Sequence, residues 1–278
     1  MSQSHHFRAY TFVDRITALQ PGVSARGTYA IPAALAEFSG SLVAEATGQL
    51  AAWSALAAVD FKSRPVAGIA ALVEMLAPVR PGETLELAAE IESVDVDAIA
   101  YSGTASVNGS PVLRLHQCVG PMLPVEDFDD PQALRDHSAL LCGAGAQPGG
   151  FGGVPDFSTE RTSGEPGKSI RANLQVPTDA PFFSDHFPRK PVFPGTLLMR
   201  SKLQLVAALA ADIPLPVQAR EWKLKSVTNM KLRTFIEPGE LLELEAKLLA
   251  SAGDNLTISV ESRRGKRLAG AATVLLTA

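Results

Sequence analysis

Two stretches of the chain are apolar on nearly every helical face, Leu42-Val-Ala-Glu-Ala-Thr-Gly-Gln-Leu-Ala-Ala-Trp-Ser-Ala-Leu-Ala-Ala-Val59 and Leu197-Leu-Met-Arg-Ser-Lys-Leu-Gln-Leu-Val-Ala-Ala-Leu-Ala-Ala211. A helix of that kind has to be surrounded by protein. Elsewhere the pattern shifts to an alternation of apolar and polar positions, as in Leu85-Glu-Leu87 and Leu242-Glu-Leu244, which predicts strands with one face in the core and one in water. Curved antiparallel sheets wrapped around the two helices satisfy both patterns, which gives an α+β fold.

The elements recur. Gly22-Val-Ser-Ala-Arg-Gly-Thr-Tyr-Ala-Ile-Pro32 is echoed 145 residues later by Gly167-Lys-Ser-Ile-Arg-Ala-Asn-Leu-Gln-Val-Pro177, and Pro81-Gly-Glu-Thr-Leu-Glu-Leu87 returns after 157 as Pro238-Gly-Glu-Leu-Leu-Glu-Leu244. The turns Asn108-Gly109 and Arg264-Gly265 form a third pair, each separating alternating runs that read as hairpin arms. Three landmarks in one order predict an internal repeat, residues 1–125 and 166–278, each with a strand, the helix and then three or more strands. Between them, residues 126–165 hold six glycines within Gly143 to Gly153 and read as a linker with too little apolar surface to pack; one short helix is expected around Asp130 to Asp136.

Composition narrows the function classes. The 278 residues are 46% hydrophobic and 19% charged with a net charge of −4, which argues against disorder and nucleic-acid binding. The apolar stretches are interrupted by Glu45 and Gln49, or by Arg200, Lys202 and Gln204, before they reach a membrane span. Met1 to Phe12 lacks the basic-then-apolar order of a signal peptide, so the expected location is cytoplasmic. Cys118 and Cys142 are expected as free thiols. His116 and Cys118, two apart on a predicted strand, would share a face but are a weak metal set, so no metal or cofactor is expected. His5 and His6 are read as part of a frayed terminus.

The run His186-Phe-Pro-Arg-Lys-Pro-Val-Phe-Pro-Gly195, directly ahead of the second helix, resembles the HFPxxPVxPG signature of the β-hydroxyacyl-(acyl carrier protein) dehydratases. That resemblance implies a double hot dog, each repeat a sheet wrapped around one long helix. In the family the signature leads into a helix bearing a carboxylate fourteen residues after the histidine; here that position is Arg200. The carboxylate stands in the other repeat, where Leu42-Val-Ala-Glu45-Ala-Thr-Gly-Gln49 matches the family's helix. The first repeat in turn lacks the histidine loop, since Pro32 to Glu45 spans 13 residues against 23 from Pro177 to Arg200. Family members pair so that each site takes its histidine from one copy and its carboxylate from the other. The resemblance therefore implies one composite site per chain, with His186 as base and Glu45 as acid.

Glu45 lies among Ala, Leu and Val, where desolvation favours a protonated carboxyl, while Asp185, standing where the family has Gly, would raise the pKa of His186. Gly195 and Pro194 open a helix whose free N–H groups suit an oxyanion, with Gln49 and Phe187 also read as substrate-binding and Phe182, Phe183 and Phe193 as tunnel-shaping. Arg200 is read as structural, either paired with an acid at the defective second site or contacting the linker. Arg189, Lys190, Lys223, Lys225, Lys231 and Arg233, with Arg220, form a basic group suited either to solvent or to docking an acyl carrier protein or coenzyme A phosphates. The implied reaction is dehydration of 3-hydroxyacyl thioesters in fatty-acid or polyketide-type synthesis, Glu rather than Asp favouring dehydration without isomerisation. A hot-dog thioesterase and a non-catalytic acyl-binding partner of a synthase are the alternatives, and a homodimer of such pseudo-dimers is left open.

Overall fold

The computed structural model describes residues 6–155, 157, 159–217 and 219–278. The N-terminal part folds as β1 (Arg15–Gln20), β2 (Ser24–Ala30), α1 (Gly40–Ala58), β3 (Ser63–Pro65), β4 (Ile69–Met75), β5 (Thr84–Val94), β6 (Ala98–Val107) and β7 (Ser110–Pro124). After α2 (Pro131–Cys142) come β8 (Thr159–Glu165), β9 (Ser169–Gln175), α3 (Gly195–Ala210), β10 (Lys223–Leu232), β11 (Leu241–Ala252), β12 (Asn255–Arg264) and β13 (Arg267–Thr277).

One antiparallel sheet joins them in the order β1-β2-β5-β6-β7-β4-β10-β13-β12-β11-β9-β8, with β3 paired to β7 off this path. The order reads alike from both ends, strand for strand, and the two halves meet where β4 pairs with β10, Val73 opposite Val227. α1 packs on β2, β5 and β6, α3 packs on β9 and β11 to β12, and the helices touch each other. The sequence pattern accounts for this packing. Leu85, Leu87 and Ala89 of β5, like Leu242, Leu244 and Ala246 of β11, are buried in alternation, while α1 buries Leu42, Val43, Ala46, Leu50, Ala51 and Trp53 around most of its girth. Both Pro-Gly turns need glycine, since Gly82 and Gly239 stand at φ 90° and 81°.

Residues 126–165 differ from the expected loose linker. The short helix forms as α2, with the Asp130 side chain accepting from the N–H groups of Gln132 and Ala133 and Pro131 in the first turn. Phe128, Leu134, Leu141 and Phe151 are nevertheless buried, and Phe151 meets Phe12 edge-on. A few well-spaced anchors hold a stretch whose average composition is poor in apolar side chains. Thr159–Glu165, within the same stretch, is the edge strand β8; its exposed, polar side chains hide it from hydrophobic patterning, and backbone pairing to β9 holds it.

The N-terminal segment is also more ordered than expected. His5 lies outside the described residues, but the His6 ring sits 3.3 Å from both Asp129 and Asp185, and Phe7 stacks on His137 at 3.9 Å. Asp185 further accepts from the backbone N–H groups of Phe7 at 2.5 Å and Tyr10 at 2.7 Å. Burial opposes charge on His6, but the hydrogen bonds and attraction of the two carboxylates outweigh it and push its pKa up to about 9. This clamp fastens the segment to the loop that carries His186.

A Cβ at Gly120 would lie 2.1 Å from the carbonyl oxygen of Val66, a backbone atom that cannot swing away; Gly120→Ala is expected to lower stability by about 1–3 kcal/mol in urea unfolding. Because the folded pKa of His6 exceeds its ordinary 6.5, its stabilisation is complete below that value and disappears as pH rises through about 9. The wild-type protein should therefore lose on the order of 3 kcal/mol over that interval relative to His6→Gln, measured by denaturant unfolding at a series of pH values.

Candidate functional site

His186 stands on the loop between a short 3-10 turn at Pro181–Ser184 and α3. Its backbone carbonyl accepts from Val192 N–H at 2.9 Å, and its Nδ1 lies 2.8 Å from the Val192 carbonyl oxygen, closing the loop twice. A carbonyl can only accept, so Nδ1 carries the proton and, in the neutral ring, Nε2 keeps its lone pair. The ring stacks on Phe187 with centroids 4.1 Å apart. Burial lowers the His186 pKa against the attraction of Glu45, which favours the neutral imidazole. The expected influence of Asp185 is not found: its carboxylate points to the N-terminal segment and is occupied there by Phe7, Tyr10 and His6.

Glu45 projects from α1 of the other repeat. Its Oε2 accepts from the Thr196 hydroxyl at 2.6 Å and its Oε1 from Gln49 Nε2 at 3.0 Å. With the Thr196 proton so directed, Tyr10 Oη donates to Thr196 Oγ1 at 2.9 Å, completing a Tyr10–Thr196–Glu45 chain across the repeats. Glu45 is therefore held by polar groups as well as by its apolar helix. Gln49, expected to touch substrate, is taken up by the fold: its Nε2 also donates to the Tyr10 carbonyl at 2.9 Å and its Oε1 accepts from Phe12 N–H at 2.8 Å. It positions Glu45 and the N-terminal segment.

Gly195 begins α3 behind Pro194; the N–H groups of Leu197 and Leu198 donate to the Pro194 carbonyl, while those of Gly195 and Thr196 have no acceptor within the helix. A Cβ on Gly195 would fall 2.3 Å from Leu232 Cδ1, so glycine keeps this approach open. His186, Glu45, Gly195, Thr196, Tyr10, Gln49 and Phe187 line one cavity of about 240 Å³, whose remaining wall is mainly apolar and includes Val66, Ile99, Tyr101, Met199 and Met230. Phe193 lines it too, whereas Phe182 and Phe183 pack in the core. Pro194 is buried beside it without lining it. The imidazole and the carboxylate that the two repeats hold separately thus face the same space.

The remaining candidates lie apart from that pair. Arg200 donates to Glu37 at 2.6 Å, an acid from the short first-repeat loop, and Gln204 is exposed. Arg189 bonds Asp130 and the Glu126 carbonyl, Lys190 lies over the rings of Phe128 and Phe235, and Lys223, Lys225, Lys231 and Arg233 are exposed on β10 and the residue after it. His116 and Cys118 do not share an environment: a bulge opposite Tyr101 and Gly103, with Gln117 at φ 49°, turns His116 out to Glu74 at 2.8 Å and Cys118 into the core. Among the described residues no group of His, Cys, Asp and Glu could hold a metal ion.

Sequence reasoning did not find Thr196 and Tyr10. For Thr196 a signal existed, a hydroxyl directly after the glycine that opens the helix; for Tyr10, thirty-five residues from Glu45, there was none.

The family model described as ApeI dehydratase, ApeI-like, matches residues 161–271. The 3-hydroxyacyl-(acyl-carrier-protein) dehydratase FabZ of Rickettsia typhi is 35% identical over 82 residues, which is 30% of this chain and 57% of that relative; the match spans little more than half the relative's length. Among solved structures, a MaoC-like dehydratase has a TM-score of 0.57 at 12% identity, covering 92% of this chain and 98% of its own. A protein of Lactobacillus plantarum designated an oleoyl thioesterase has a TM-score of 0.61 at 10% identity, covering 91% and 96%. Such identities speak for fold alone. The chain is thus a double hot dog, with residues 161–271 similar in sequence to the ApeI-like dehydratases and 82 of its residues similar to FabZ.

Proposed function

We propose that this chain dehydrates 3-hydroxyacyl thioesters to trans-2-enoyl thioesters at one composite site. The observation that carries the reading is the shared cavity: His186, its Nδ1 bound to the Val192 carbonyl, and Glu45, fixed by Thr196 and Gln49, come from different repeats and line it together.

The chemistry follows from those groups. His186 Nε2 takes the proton from Cα of the acyl chain, and the C–H electron pair moves toward the thioester carbonyl, whose oxygen gains negative charge. An N–H of the first turn of α3 at Gly195 donates to that oxygen, a position where one donor contributes about 3–4 kcal/mol to the transition state. The pair then forms the Cα–Cβ double bond, and the β-hydroxyl leaves as water with a proton from Glu45. The buried, neutral imidazole suits the first step and the oriented carboxyl the second. The apolar wall suits an acyl chain.

The substrate would be carried by an acyl carrier protein or coenzyme A in fatty-acid or polyketide-type synthesis in the cytoplasm. No described helix is long and apolar enough to cross a membrane. The exposed Lys223, Lys225, Lys231 and Arg233 offer a face for an acidic carrier. Thioester hydrolysis is the second reading, compatible with thioesterases among the fold neighbours; it does not call for the HFPxxPVxPG loop.

Incubation with 3-hydroxyacyl and 2-enoyl thioesters, following interconversion and hydrolysis in parallel, separates these readings. Interconversion is expected, falling at least about a hundredfold in His186→Ala and in Glu45→Ala and staying near wild type in Arg200→Ala. Full activity of Glu45→Ala, or hydrolysis in place of interconversion, would overturn the proposal.

A further inference from the structure

Arg64 lies on β3, opposite Leu123 of β7, and is the one Lys or Arg among the described residues that line the cavity. Its side chain is 14% exposed, and its guanidinium carbon stands 3.8 Å from the centroid of the Phe187 ring, the residue next to His186. Its Nε and Nη1 are buried and meet no hydrogen-bond acceptor in the protein. Asp129 Oδ2 forms an ion pair with Nη1 at 3.8 Å, too long for a hydrogen bond, while the Oδ1 of the same carboxylate faces His6 and accepts from the N–H of Asp130. Arg64 acts electrostatically on Glu45 and on His186.

Buried guanidinium nitrogens are rarely left without an acceptor. Here stacking on Phe187 fixes the plane of the group, and the donors remain unmatched beside the two side chains assigned to proton transfer. An oxygen with negative charge, delivered by the bound ligand, is the partner such a group fits.

We propose that Arg64 is a substrate-binding residue whose guanidinium receives the thioester oxygen as it turns into an enolate oxygen. The inference rests on the dehydration reading and deepens it. When His186 removes the α-proton, the charge on the oxygen is met by the N–H at Gly195 and by a cation in a water-poor cavity. When the electron pair returns to expel the β-hydroxyl, the oxygen becomes a neutral carbonyl again and its hold on Arg64 weakens. Arg64 therefore favours the charged intermediate over both substrate and product, which is what an accelerating group has to do. Burial is the main cause that lowers the His186 pKa, and the charge of Arg64 acts in the same direction.

The test uses the whole chain as Arg64→Met, Arg64→Lys and wild type, with two readouts. The first is 3-hydroxyacyl/2-enoyl interconversion. The second is the ultraviolet band of a 3-oxoacyl pantetheine thioester, which forms a stable enolate without any elimination, recorded against pH with ligand bound. Wild-type protein should bind the enolate at a pH at least one unit below that of free ligand. Arg64→Met should lose that shift and about tenfold or more in kcat/KM, mostly through kcat, while Arg64→Lys, which keeps the charge without the fork, should recover part of both. Should Arg64→Met fail to fold, the comparison of wild type with Arg64→Lys decides by the same two readouts. Equal enolate titration in wild type and variant, with kcat/KM within twofold, overturns the proposal. A wild type that shows the Arg64-dependent enolate shift but no interconversion retires the dehydration reading and leaves the anion site standing.

Discussion

A hydroxyl of one repeat donates a hydrogen bond to a carboxyl group of the other: Thr196 Oγ1 to Glu45 Oε2, 2.6 Å. A hydrogen bond of this kind contributes about 0.5–1.5 kcal/mol, yet its geometric effect is larger than its energy. The contact exists only because β4 and β10 pair across the middle of the sheet and bring α1 and α3 side by side. It fixes the rotation of α3 relative to α1, and α3 starts at the end of the loop that holds His186. The distance between imidazole and carboxylate is therefore a property of the seam between repeats. Neither repeat alone could define it.

The matching strand order of the two halves accounts for how little they differ in packing, while their side-chain chemistry differs widely. Core positions answer to the same sheet and helix in both copies, so Leu85 and Leu87 correspond to Leu242 and Leu244. Site positions are relieved of that symmetry once both copies travel together. The first copy keeps the carboxylate and a short loop, and the second keeps the histidine loop and has Arg200 in place of the acid. In the place of a second site Arg200 is paired with Glu37 of that short loop, which neutralises what would otherwise be a lone cation. The linker follows the same logic: its aromatic anchors and α2 fill space at the junction, and Asp129 at its start joins the clamp on the N-terminal segment.

Much of this was legible in the residues because the relevant signals are local or periodic. Alternation marks the strands, the Pro-Gly turns recur, and the step of fourteen residues from His186 to Arg200, compared between the copies, points to Glu45, which lines the cavity with His186. What escaped is whatever depends on contacts between distant segments. β8 is polar and is held by backbone pairing alone, so no side-chain pattern marks it. The bulge at Gln117 shifts the inside–outside register by one residue and separates His116 from Cys118. Tyr10 enters the site because Asp185 captures the backbone of Phe7 and Tyr10 from 175 residues or more away in sequence. Arg64 is an unremarkable cation in a three-residue strand until Phe187 is laid against it.

These escaped residues share a physical character. His6, Arg64, Asp129 and Asp185 bring two cations and two carboxylates together under low exposure, an arrangement that hydrophobic side chains of similar volume could replace with no loss of stability. Its place beside the cavity fits a role other than stability. Asp185 and His6 tie the N-terminal segment to the histidine loop, and Tyr10 of that segment orients Thr196 and through it Glu45. Asp129 and Phe187 keep Arg64 in place while leaving two of its nitrogens unmatched. The cluster thus works as a frame for fixed charges: the same desolvation that makes it costly to fold raises the effect of each charge on a reacting group that enters the cavity.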